Sequence, residues 1–232
     1  MKKLAFISAL VLAVGSFSAC SDDFNQKVKE KAVENMEDAT ADFAMGEVTN
    51  GVYSSDFSKM TFTAPDGWTF SSQDEILQMM DVGLDISGEV SEVNGGDAEL
   101  NKKILEKTTI YDMVAMNELT GENVIIMYEN IPAYGLDPKE YAVDDYMENA
   151  VKMLNSVDSI QYTQSGEKET VTLGDREFVK TTFEASMPEL NYTTSQTYYV
   201  SQIDDFMMSI VSSAGIAGTD MSTYESCFGT VK

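Results

Sequence analysis

Histidine is absent from this chain of 232 residues. That absence removes Ser-His-Asp and Cys-His catalysis, histidine-ligated zinc and imidazole proton shuttles together. Cysteine is almost absent, with Cys20 and Cys227 alone, so no disulfide framework or thiolate metal cluster can be assembled. Neither G-x-x-x-x-G-K-[ST] nor G-x-G-x-x-G occurs, which leaves nucleotide binding without a motif. No repeat is evident at the periods of solenoids or propellers. Bases are scarce: 15 Lys and Arg stand against 39 Asp and Glu, a net charge of −24. So acidic a chain repels polyanions, and no nucleic-acid partner is expected. Cations, basic peptides or plain solubility suit it better.

What is present begins at the N-terminus. Lys2 and Lys3 precede an apolar run from Leu4 to Val14 broken by Ser8, and Gly15, Ser16, Phe17, Ser18 and Ala19 lead into Cys20. A charged start, a short apolar centre and small residues before a cut site describe a secretory signal peptide. The run is too short to span ~30 Å of hydrocarbon, which takes about 20 helical residues.

Phe17-Ser18-Ala19-Cys20 resembles the lipobox of bacterial lipoproteins. The resemblance implies that Cys20 receives a diacylglycerol, is exposed by cleavage and becomes the first residue of the mature chain. Each buried CH₂ contributes about 0.8 kcal/mol, so two or three acyl chains (palmitate among them) hold a soluble domain firmly. The alternative is an ordinary secreted protein with Cys20 as a spare thiol. Residues 1–19 are therefore expected as a lipoprotein signal peptide and 20–51 as the lipidated cysteine and a polar tether. Residues 52–232 are expected as the folded domain. The address is extracytoplasmic, on the outer face of the bacterial cytoplasmic membrane, or its periplasmic face if the host has an outer membrane. The membrane is then one partner, met through the anchor. Without residues 1–19 the chain has 213 residues and a charge of −26, which suits one domain with a linker.

With no disulfide, stability must come from a core, and 43% apolar residues can supply one. Fifteen methionines, among them Met79-Met80 and Met207-Met208, are read as core filling rather than as an adaptable binding surface. In the tether, Val28, Ala32 and Met36 recur four apart, enough for a weak amphipathic helix.

The domain is expected to open at Tyr53. Met60, Phe62 and Ala64 alternate with Thr61 and Thr63 as in a strand with one buried face, and Pro65-Asp66-Gly67 supplies a turn. Ser72 and Glu75 form a capping-box pattern that opens a helix through Ile76, Leu77, Met79 and Met80. Asp97 begins a second, short helix carrying Leu100, Ile104 and Leu105. Ile110–Leu119 and Val124–Tyr128 flank Thr120-Gly121-Glu122-Asn123 as a hairpin. Asp137-Pro138-Lys139-Glu140 predicts a helix start, followed by an apolar face of Val143, Met147, Ala150, Leu154 and Val157. Further strands are expected around Val171–Leu173, Val179–Ala185, Tyr192–Val200 and Phe206–Ala214, paired antiparallel through tight turns. A last helix carries Met221, Tyr224 and Phe228.

The stretch from Tyr53 through Phe57 and Met60-Thr-Phe-Thr-Ala-Pro-Asp-Gly-Trp68, with the helix from Ser72, resembles the opening of PsbP-like domains. The order of hairpin, long helix, antiparallel strands and C-terminal helix resembles them too. The resemblance implies an α+β fold, a mostly antiparallel sheet flanked by helices in a PsbP-like sandwich. It carries no binding motif and no function.

No catalytic residue, cofactor or metal ligand is assigned from the sequence; the one assigned site is lipid attachment at Cys20. Asp144-Asp145 and Asp204-Asp205 are candidate ligands for a hard cation but lack the calcium-loop spacing, and are read as solvated. Cys227 is read as a small buried apolar residue rather than a reactive thiol. Trp68 is read as a core anchor rather than a pocket wall. Tyr192, Tyr198 and Tyr199 could form an exposed aromatic strand, although alternation puts Tyr199 on the face opposite the other two. Asn191-Tyr192-Thr193 is read as a chance glycosylation acceptor. The expected function is a non-catalytic domain that binds or scaffolds an envelope protein or small molecule. The alternatives are an envelope hydrolase built on acidic residues, or a small-molecule or cation capture protein.

Overall fold

The structure, a computed structural model, describes residues 43–79, 107–155, 161–188, 191–215 and 218–231. The short helix expected from Asp97, the tether helix, Met80, Val157 and Cys20 lie outside the described residues. Within them the fold is rich in antiparallel strand. A small sheet takes β1 (Glu47–Thr49), β2 (Val52–Ser55), β3 (Met60–Thr63) and β12 (Phe228–Thr230) in the order 1-2-3-12. A large sheet takes β4 (Thr69–Phe70), β5 (Thr109–Met116), β6 (Asn123–Asn130), β11 (Phe206–Ser213), β10 (Tyr192–Ile203) and β9 (Arg176–Met187) in the order 4-5-6-11-10-9. Both β7 (Gln161–Gln164) and β8 (Glu169–Leu173) pair with the outer edge of β9.

Local chemistry explains most of these elements. In β3, Met60 and Phe62 point inward while Thr63 is exposed. The turn closes through a hydrogen bond from the Trp68 N–H to the Pro65 carbonyl at 3.1 Å, with Gly67 at φ +82°, a value glycine adopts without Cβ strain. Ser72 and Glu75 cap each other reciprocally: the Glu75 carboxylate accepts from the Ser72 N–H at 2.8 Å, and Ser72 Oγ from the Glu75 N–H at 3.4 Å. They open helix α1 over 73–79, which buries Ile76 and Met79 and leaves Leu77 exposed.

Packing shifts the second helix start. Asp137 does cap a turn, its carboxylate accepting from the Lys139 N–H at 2.9 Å and its carbonyl from the Glu140 and Tyr141 N–H groups. The chain then breaks, and helix α2 runs from Val143 to Leu154. Tyr141 packs against the core and its hydroxyl accepts from Asn149 Nδ2 at 3.0 Å. Seating that ring outweighs a continuous helix from Pro138.

Each face of the large sheet carries a second layer over part of its extent. On one face, α2 packs Tyr146, Met147 and Leu154 against Phe183, Tyr198, Val200 and Val211, while Ile76 and Met79 of α1 cover Tyr111, Val114, Ile125 and Met127. The small sheet covers the other face, burying Tyr53, Met60 and Phe62 against Val124, Ile126, Tyr128, Phe178 and Ile210. Helices therefore flank one side, and the second layer is a sheet.

Two boundaries differ from expectation. Residues 43–51, expected in the tether, belong to the fold: Glu47–Thr49 pairs with β2, and the Phe43 ring lies 4.8 Å from Phe57 and Tyr128. The expected last helix is a 3-10 helix, Met221–Cys227, followed by β12. Its period is three, not 3.6, so Met221, Tyr224 and Cys227 share the inward face while Phe228 pairs with Phe62 across strands.

Candidate functional site

The small sheet leaves part of the β9–β10 face uncovered. There a cleft of about 520 Å³ lies between residues 166–169 and 218–222. Its floor follows from strand alternation: Lys180 and Thr182 of β9, and Ser195 and Thr197 of β10, lie on the face opposite Phe183 and Tyr198. Thr182 and Thr197 are direct cross-strand partners with their hydroxyl oxygens 3.0 Å apart. The walls add Glu167, Lys168, Thr219 and Ser222.

Lys180 is the fixed point of this cleft. Its ammonium is 2.9 Å from Glu169, its cross-strand partner on β8, and 2.8 Å from Glu225 of the 3-10 helix. Burial disfavours its charge, but the hydrogen bonds and charges of the two carboxylates prevail and raise its pKa above the ordinary lysine value. The Tyr199 hydroxyl donates to the same Glu225 oxygen at 2.9 Å; burial, then the Glu225 charge, pushes that phenol well above its usual range. Asp220 caps the 3-10 helix through the Ser222 N–H and hydroxyl, and those bonds lower its pKa. A lysine held protonated by two acids is a poor nucleophile. The arrangement presents donors and acceptors from positions that are already held.

A second cleft, of about 480 Å³, opens at the far end of the same face, with Lys59 and Arg176, Asp175 and Glu177, and Ser201 and Thr230 in its lining.

Among the described residues three acids are buried away from both clefts: Glu122, beside the β5–β6 turn, accepts from the Thr120 and Tyr224 hydroxyls, and the other two lie within β5 and β6. Asp112 is the extra residue of a bulge in β5, where the register passes from Tyr111 to Met113. The bulge turns it toward the small sheet, where it accepts from the Tyr53 hydroxyl at 2.5 Å and the Gly46 N–H at 2.6 Å. Glu129 of β6, fully buried, accepts from the Tyr146 hydroxyl of α2, which also lies 2.9 Å from Ser209 Oγ. Burial, reinforced by the Glu129 charge, raises the pKa of Tyr111 and Tyr134. Sequence reading missed Asp112 and Glu129. The available signal was an acid inside or at the end of an otherwise apolar strand, Ile110–Met116 and Val124–Tyr128. Both are hydrogen-bonded cross-links between layers.

The residues singled out from sequence fall as follows. Asp144 pairs with Lys168 at 2.7 Å, and Asp145 is exposed. Asp204 and Asp205 are exposed in the two-residue turn between β10 and β11. Among the described residues, no three acid or cysteine side chains converge as a metal site. Trp68 is buried, its ring 4.8 Å from Tyr224. Tyr198 and Tyr199 are both buried, on opposite faces, and Tyr192 is partly buried, so no exposed aromatic strand forms. The sheet is covered on both sides there, which alternation alone did not reveal. Cys227 is partly buried, and burial raises its thiol pKa. Met207 and Met208 are fully buried on opposite faces.

Among the described residues no helix is long and apolar enough to cross a membrane. The chain matches no protein-family model and none of the curated proteins.

Proposed function

We propose that this chain is a lipid-anchored extracytoplasmic binding domain that holds a small polar ligand in the Lys180 cleft. The observation that carries this reading is the Lys180 constellation: a lysine fixed by Glu169 and Glu225 beside a row of hydroxyls on an uncovered sheet face. A preorganised polar surface binds without first ordering its own side chains. The domain is of the PsbP-like sandwich type. The motif Met60–Trp68 occupying β3, the turn and the approach to β4 supports that type, as does the order of hairpin, α2 and antiparallel strands. The anchor is Cys20, with the polar stretch before Phe43 as the arm, and the address is the outer face of the cytoplasmic membrane.

Two experiments test the two halves. Thr182→Val together with Thr197→Val keeps volume and removes both hydroxyls from the cleft floor. Envelope small-molecule extract is titrated with the full chain in ligand-observed NMR. Wild-type chain is expected to broaden a subset of signals and the double variant to weaken that binding about tenfold, as the loss of one or two hydrogen bonds implies. Equal broadening by both chains removes the cleft from the reading. For the anchor, Cys20→Ala is expected to move the protein wholly out of the membrane fraction; a variant that stays there sinks the lipid assignment.

A further inference from the structure

We infer that the second cleft binds an oxyanion group, a carboxylate or phosphate borne by a small ligand, through Arg176. Arg176 is the one arginine in a chain carrying 39 acids. Among the described residues, Lys152, Lys168 and Lys180 lie 3.9, 2.7 and 2.9 Å from carboxylates. Among the described residues the Arg176 side chain makes no ion pair, and its Nε is buried with no acceptor. A guanidinium is permanently charged and offers five donors in one plane. Burying one of those donors unpaired costs stability unless something else supplies the acceptor.

The fold explains why the neighbouring acids do not supply it. Asp175 and Glu177 both line the cleft, yet neither carboxylate lies within ion-pair distance of the guanidinium, and strand alternation starts the Glu177 side chain toward the opposite face from Arg176. Asp175 sits in the β8–β9 turn, and that turn is wedged against β12. Gly174, at φ +59°, lies so close that a Cβ there would be 2.7 Å from the Gly229 carbonyl.

Ser201 and Thr230 bring hydroxyl-bearing side chains to the cleft, and Asp175 and Glu177 line it as well. Lys59 adds a second positive charge, and its ion pair with Asp56 is long, 3.6 Å, and solvent-exposed. Such pairs contribute little and yield readily to a better partner. A two-oxygen group matches the guanidinium fork, with the hydroxyls and Lys59 as further donors.

The test is calorimetric titration of the full chain in detergent with sodium phosphate and, separately, sodium acetate, against chloride at matched ionic strength. Wild type is expected to give saturable binding of at least one anion, with a dissociation constant of about 1 mM or tighter. Arg176→Lys keeps the charge but not the fork and is expected to bind about tenfold more weakly; Arg176→Gln should show no saturable binding. Phosphate without acetate identifies a phosphate ligand, and acetate alone a carboxylate. Wild-type titrations indistinguishable from chloride overturn the proposal, as does Arg176→Gln binding as tightly as wild type. Should Arg176→Gln prove unfolded by circular dichroism, Ser201→Ala with Thr230→Val takes its place, with the same two outcomes. The Thr182→Val, Thr197→Val chain is expected to bind these anions normally, which separates this site from the Lys180 cleft.

Discussion

Replacing Phe62 by alanine is expected to lower the unfolding free energy by about 3–5 kcal/mol, the usual cost of emptying a buried phenylalanine site. Phe62 is fully buried. It stands at the middle of the small sheet, opposite Tyr53 on β2 and Phe228 on β12. Its ring lies 4.9 Å from Phe228 and 6.3 Å from Phe70 of the large sheet. Fixed strands on both sides cannot collapse into the space, so the cavity persists. Against a total stability of roughly 5–15 kcal/mol this is a large fraction. Urea unfolding measures it, and the melting temperature should fall by roughly 6–20 °C. A loss below about 1 kcal/mol, the range of mild substitutions, would mean that the two sheets do not share this core. The effect should reach the Lys180 cleft. Phe228 follows directly on the 3-10 helix that carries Glu225 and Asp220, so a loosened β12 frees that wall.

How far the sequence discloses this architecture depends on whether the signal is local. Met60-Thr-Phe-Thr with Pro65-Asp66-Gly67, and Ser72 with Glu75, are complete within a few residues, and each element forms as read. The β10–β11 hairpin is likewise local, since Ile203 pairs with Phe206 across Asp204-Asp205. Non-local demands changed the remainder. Asp137-Pro138 has the chemistry of a helix start, yet Tyr141 is needed in the core and α2 begins at Val143. Met221, Tyr224 and Phe228 have helical spacing, but β3 has a free edge there and Phe228–Thr230 fills it. Glu47–Thr49 looks polar because β1 is an exposed edge strand with its residues in solvent. The candidate sites were less legible still. Lys180 acquires its role from Glu169 and Glu225, which come to it from different elements. Arg176 is distinguished by a partner it lacks, which no one-dimensional pattern encodes.

Asp112 should show the clearest difference between losing a charge and losing an acceptor. Burial raises its pKa, against the lowering effect of the Tyr53 hydroxyl and the Gly46 amide. A carboxyl whose folded pKa lies above its unfolded value binds protons more tightly when folded. Its contribution to stability is then fully present below the unfolded value of about 3.9 and is lost as pH rises through the folded pKa. Asp112→Asn abolishes this titration and keeps the geometry: Oδ1 can accept from Gly46 and Nδ2 can donate to Tyr53. The variant's stability relative to wild type should therefore be greatest at neutral pH, and that advantage should shrink as pH falls toward 4. Asp112→Ala also removes the charge but strands two buried donors, each costing about 1–3 kcal/mol. The net expectation is a loss of about 2–4 kcal/mol, since relief of the buried charge offsets part of that cost. Unfolding in urea between pH 4 and 8 separates the two variants. The local readout is hydrogen exchange at Gly46, which is packed so closely that a Cβ would sit 2.3 Å from the Tyr53 ring. Exchange there should stay slow in the asparagine variant and speed up at least tenfold with alanine. If the asparagine variant instead loses stability progressively as pH rises, Asp112 is an ion that the fold prefers charged. The bulge would then hold the backbone at Gly46 by charge rather than by hydrogen-bond geometry, and acid rather than base would release it.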